Sequence, residues 1–190
     1  MKTVSLYFNL LFFIVSLNIH AQTKASRKNK AASVSVPDQK IKFKISGTVN
    51  VTTPYCGGAA PSEEIMENSR KPQPYNAKVF YVRKGNINSM KAEIILSFTT
   101  NTKGEFVIEL PEGTYSIIQK EQTVAFKMKD YKMDKFHIAE ESCLKEWWGK
   151  PYHVLDIKDK NIEGLIFTFH RQCFVTSDIP CIRYIGPMPP

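Results

Sequence analysis

Residues 100–118 read TNTKGEFVIELPEGTYSII, and the placement of turn residues within them decides the fold class. Asn101-Thr102-Lys103-Gly104 is a turn, with Gly104 supplying a positive φ at no steric cost. From Glu105 to Leu110 the chain alternates, and Phe106, Ile108 and Leu110 share one face. Pro111-Glu112-Gly113 makes a second tight turn, after which Tyr115 and Ile117 continue the apolar face. Proline pre-sets φ for a turn and cannot donate to a central ladder, so it belongs between strands and not inside one.

The same period of two extends outward from this block. Between Ile41 and Val51 the odd positions are Ile, Phe, Ile, Gly, Val and Val, while the even ones are Lys, Lys, Ser, Thr and Asn. That pattern predicts a half-buried strand. Val79-Phe80-Tyr81-Val82, apolar on both faces, predicts a central strand. Lys91–Thr99 places Ile94, Leu96 and Phe98 on one face, and two later strands are expected at Tyr152–Ile157 and Gly164–Phe169. Two short helices interrupt them. Pro61-Ser62-Glu63-Glu64-Ile65-Met66 begins one, with proline and acids in its first turn. Ala139–Trp148 forms the other and stops at Gly149 and Pro151; Cys143 and Trp147 share the face expected to meet the sheet. Many short strands at close spacing predict an all-β sandwich of about seven strands.

The block Gly47-x-Val49, Asn76-Ala77-x-Val79 and Thr100-Asn101-x-x-Gly104-x-Phe106-x-Ile108-x-Leu110-Pro111-x-Gly113-x-Tyr115-x-Ile117 resembles the carboxypeptidase regulatory-like domains. The resemblance covers residues 41–120, with 162–169 as a closing strand. It implies a prealbumin-like (transthyretin-like) seven-stranded antiparallel β-sandwich, in which the helices read above stand as two short helical insertions. It also implies an accessory, adhesive or recognition role with no catalytic positions to carry over. The chain departs from the family in an insertion at 52–74, a long segment at 121–151 and a cysteine-bearing tail at 170–190. Those departures are where a specific function is expected, since function is grafted onto a fold.

The first twenty-one residues read as a cleavable signal peptide. Lys2 precedes an uncharged run from Val4 to Ile19, which ends at His20-Ala21-Gln22 with a small residue before the expected cut. The run is shorter than the ~20 residues that span a bilayer. The whole chain carries +8, but residues 22–44 hold seven Lys/Arg against Asp38 alone, and the remainder to Pro190 is nearly balanced. Residues 22–40 therefore read as a basic disordered linker, and 41–190 as the domain with its C-terminal extension. This distribution argues against nucleic acid as a partner. An extracytoplasmic location (periplasm, surface or medium) makes disulfides the expected state of Cys56, Cys143, Cys173 and Cys181. Three pairings are open, and Cys143–Cys173 with Cys56–Cys181 is preferred because the tail needs tying down.

Candidate sites are few. Tyr55, Trp147, Trp148 and Tyr152 form a possible binding surface for a protein or glycan partner. Cys56 beside Gly57-Gly58 is open to a thiol-enzyme or hydrolase reading, but a nucleophile needs a base and a lowered pKa. His137, His153 and His170, with Met128 or Met133, are open to a metal-binding reading, but none has the spacing that puts two ligands on one face. The expectation is a non-enzymatic exported module with no catalytic residue, metal or cofactor, no membrane span after signal cleavage, and an open oligomeric state.

Overall fold

The computed structural model describes residues 40–131 and 134–188. The expected signal peptide, and all of the expected linker except Lys40, lie outside the described residues. Ten strands and two α-helices follow in the order β1 (Lys42–Thr52), α1 (Glu63–Arg70), β2 (Gln73–Pro74), β3 (Val79–Lys84), β4 (Ile94–Thr99), β5 (Glu105–Pro111), β6 (Gly113–Gln119), β7 (His137–Ala139), α2 (Glu141–Gly149), β8 (His153–Ile157), β9 (Ile162–His170) and β10 (Ile182–Tyr184). Short 3₁₀ turns at Lys120–Thr123 and Met128–Tyr131 lie between β6 and β7.

Eight of these strands form the two sheets of the sandwich, and all but the short β2 supply its core. In one sheet β1 is central, with β9 along one edge and β5 and the short β2 along the other. The second sheet has the order β4-β3-β6-β8, all antiparallel. One pairing departs from an all-antiparallel sandwich: β1 and β9 run parallel, with Thr52 opposite His170. Both turns of the 100–118 block cross between sheets, because β4 and β6 belong to one sheet and β5 to the other. Gly104 has φ +74, and a Cβ there would run into the Val49 carbonyl, so turn and close approach both require glycine. Across the other corner, Tyr115 donates its hydroxyl to the Pro111 carbonyl at 3.2 Å.

The inward faces meet in an aromatic-rich core. Phe80 and Phe98 stack at 5.3 Å, Phe98 meets Phe106 at 4.7 Å, and Phe106 stacks on Phe167 at 5.5 Å. Ile45, Val49, Leu110, Ile117, Leu155 and Ile157 fill the remainder and are buried. β3 is central in its sheet, as its two apolar faces require. Its outward Arg83, together with Ser116 and Ile118 of β6, is also buried, because the chain after β6 lies over that face. Arg83 donates to the carbonyls of Ser89 and Thr123.

Helix α1 starts one residue after Ser62, whose side chain accepts the Ile65 amide. Helix α2 differs from expectation in what it packs on. Cys143, Leu144 and Trp147 meet Val175, Ile179, Cys181 and Ile182 of the C-terminal tail, making a second small core with its own two-stranded sheet, β7 with β10. The helix's last carbonyls are satisfied by side-chain amides. Gln122 donates to Trp147 and Lys150 at 2.8 Å each, and Asn88 donates to Trp148 at 2.8 Å.

Candidate functional site

Thr52 ends β1 and His170 ends β9, and their parallel register puts the two chain exits side by side. The 54–70 insertion leaves from one and the tail from the other, and the Cys56–Cys173 disulfide joins them. The second disulfide is Cys143–Cys181, tying α2 to the tail. These bonds correct the expected pairing of Cys143 with Cys173 and Cys56 with Cys181. The parallel β1–β9 pair brings Cys56 and Cys173 together a few residues beyond their strands, and Cys181 is left beside α2.

Two neighbouring clefts open at this end, and His170 lines both. The first, of about 520 Å³, is lined by Thr52, Pro54, Tyr55, Pro61, Met66, Ser69, Arg70, His170 and Arg171. No Asp or Glu is among them. Tyr55 is half-buried, and its ring lies so close over Gly57 that a Cβ at 57 would collide with it. His170 Nδ1 is 2.8 Å from Thr52 Oγ1.

The second cleft, of about 230 Å³, includes Gln119, Trp147, Tyr152, Phe169 and Asp178. A charged cluster gathers around its Asp178. Lys78 Nζ donates to Asp178 Oδ2 at 2.6 Å and to Gln119 Oε1 at 3.0 Å, and Tyr75 donates to the same Asp178 oxygen at 2.5 Å. Arg171 donates to the Tyr75 hydroxyl at 3.1 Å, and its Nε stands 3.9 Å from Asp178 Oδ1. The side chains of Lys78 and Asp178 are 14% and 8% exposed, so this is a buried ion pair. Such pairs gain little net stability against their desolvation, but losing one partner strands a charge. Here the pair ties the tail to the residue just before β3. Burial, then the hydrogen bond to Asp178, raises the Tyr75 pKa and keeps the phenol a neutral donor. The hydrogen bond to Tyr75 is the main cause raising that of Arg171.

The four aromatic residues expected to make one surface are divided. Tyr55 walls the first cleft, whereas Trp147 and Tyr152 line the second. Trp148 donates its indole N–H to the Val124 carbonyl at 2.8 Å. Tyr152 is largely structural, stacked on Phe169 at 4.7 Å and bonded to the Thr168 carbonyl at 2.9 Å. Each histidine among the described residues has its own partner: His137 bonds Asp134 and the Phe174 carbonyl, His153 packs on Phe167, and His170 meets Thr52. Among the described residues there is no free cysteine, and no group of three His, Cys, Asp or Glu placed to hold a metal ion.

Sequence reasoning missed Lys78, Tyr75, Arg70, Arg171 and Asp178. One signal was available. Asp178 is the sole acid between Gly164 and Pro190, and a lone acid in an apolar, cysteine-bearing tail calls for a basic partner.

No family model matches the chain, and no curated protein matches it. Solved structures similar to it at low identity include two bacterial proteins. One is the Bacillus anthracis TIE protein, with 12% identity over 70% of this chain and 17% of that one, at a TM-score of 0.30. The other is the N-terminal domain of the shaft pilin spaA from Lactobacillus rhamnosus GG, with 10% identity over 67% and 92% and a TM-score of 0.33. This chain thus spans under a fifth of the length of the first. Among the described residues no helix is long and apolar enough to cross a membrane.

Proposed function

We propose that this chain is an exported, non-enzymatic β-sandwich module that binds a protein or glycan partner in the cell envelope or outside the cell. The binding end is the one where the insertion and the tail meet. The observation that carries this reading is the cleft bounded by 54–70 and 170–171. It is built almost wholly from residues added to the seven-stranded frame, and the Cys56–Cys173 bond fastens its two walls. Additions that serve only packing have no need to enclose a cavity of small-ligand size. The apolar leader at 1–21 and the two disulfides support an oxidising, extracytoplasmic address. The resemblance to carboxypeptidase regulatory-like domains supports an accessory role.

The test is saturable binding of the chain from Gln22 onward to isolated envelopes and intact cells. Replacing 54–73 by a short glycine-serine loop, with Cys173→Ala to remove the orphaned thiol, abolishes binding while the far-ultraviolet spectrum stays that of a sandwich. Undiminished binding by that variant sinks the assignment of this end.

A further inference from the structure

Resting on the reading of this end as the binding end, we propose that the first cleft takes a carboxylate-bearing sugar, such as a uronate or sialic acid residue of an acidic glycan. The charge of the lining comes first. Arg70 and Arg171 both line the cleft and no acid does. Among the described residues Arg70 joins no ion pair. Arg171 donates to the neutral Tyr75 hydroxyl at 3.1 Å and is approached by Asp178 only at 3.9 Å. Two guanidinium groups lining one concave site create a positive potential, and their planar forks match a carboxylate.

The remaining walls suit a pyranose ring. Tyr55, Pro54 and Pro61 offer flat carbon faces to the C–H side of a sugar, and Tyr55 is pre-positioned by the close approach of Gly57 and by the neighbouring disulfide. Preorganised aromatic faces reduce the ordering cost of binding. An acidic peptide is the less suitable ligand, because it offers the carboxylate without a ring to cover Tyr55, Pro54 and Pro61.

The experiment titrates the disulfide-intact chain from Gln22 onward with five probes: a galacturonate trisaccharide, sialyllactose, a neutral galactose trisaccharide, a hexaglutamate peptide and inorganic phosphate. The readout is calorimetry, together with amide chemical shifts around Tyr55 and Ser69. At least one acidic sugar binds and the neutral one does not, with affinity falling as salt rises. Arg70 is exposed, so Arg70→Gln keeps the fold; it weakens the acidic sugar about tenfold or more. Tyr55→Ala also weakens it. Four results each overturn the proposal: no binding of either acidic sugar, equal binding of the neutral sugar, unchanged affinity in Arg70→Gln, or binding of hexaglutamate or phosphate alone. Envelope binding that still depends on 54–73, without acidic-sugar binding, leaves the binding end standing and removes only the ligand class.

Discussion

The core between the two sheets and the small core under the tail differ in what holds them. Fifteen buried residues make the first, drawn from seven strands and dense in phenylalanine. Five make the second, from α2 and the tail, and one of these is a disulfide cysteine. The sandwich buries enough apolar surface to hold itself, whereas the annex has too little surface to meet its ordering cost unaided. Strand alternation supplies the frame, and covalent ties shape what hangs on its end.

The largest effect is expected in the frame. Phe80 is fully buried and touches the rings of Phe98, Tyr152, Phe167 and Phe169. Phe80→Ala destabilises the domain by about 3–5 kcal/mol, through lost transfer energy and the cavity left behind. Chemical denaturation checks this, and a loss below about 1 kcal/mol would mean that the sheets close the gap and that the frame is softer than its packing indicates.

A smaller and more local effect is expected in the annex. Removing Cys143 and Cys181 together as alanines frees a loop with a sequence separation of 38, which loop entropy values at about 3–4 kcal/mol. Hydrogen exchange should show lost protection at Ile182 and Tyr184 of β10 while Val82 and Ile117 of the sandwich stay protected. Equal loss at all four amides would instead make frame and annex one cooperative unit.

What was legible in the sequence follows the same division. The sandwich strands announce themselves by alternation or, in β3, by an unbroken apolar run, while Gly104 falls between strands and Pro111 and Gly113 fall at the ends of β5 and β6. β7 and β10 carry no such signal, being three residues each and paired across most of the annex. The cysteine pairing was unreadable for a topological reason: it depends on β1 and β9 lying parallel, which neither strand reveals alone. Gln122 is a polar residue with 1% exposure, and its role in satisfying the end of α2 depends on a fold-back that no local pattern specifies. The clefted end was located only as a set of departures from a family pattern. Tyr55 was expected there, while Arg70 and Arg171 carry no distinguishing signal in the sequence.

The most delicate way to separate the regions uses two histidines of opposite sign. In the annex, the Phe174 carbonyl and then Asp134 raise the pKa of His137 above its ordinary 6.5. Because the folded state holds that proton more tightly, its contribution is complete below the unfolded value and is lost as pH rises through the folded one. Asp134 is shifted downward, mainly by its bond to His137, so its share is lost only as pH falls through its own lowered value. In the sandwich, burial against Phe167 lowers the pKa of His153. The folded state there prefers the neutral ring, so stability falls as pH drops below about 6.5. Trp147 and Trp148 report on α2, so their fluorescence should show the annex loosening from pH 6.5 upward, with that slope removed in His137→Gln. Sandwich stability should instead weaken on acidification, with part of its slope removed in His153→Gln. Two slopes of the same sign would show that the annex does not titrate as a separate body, and would return the small core to the frame's cooperative unit.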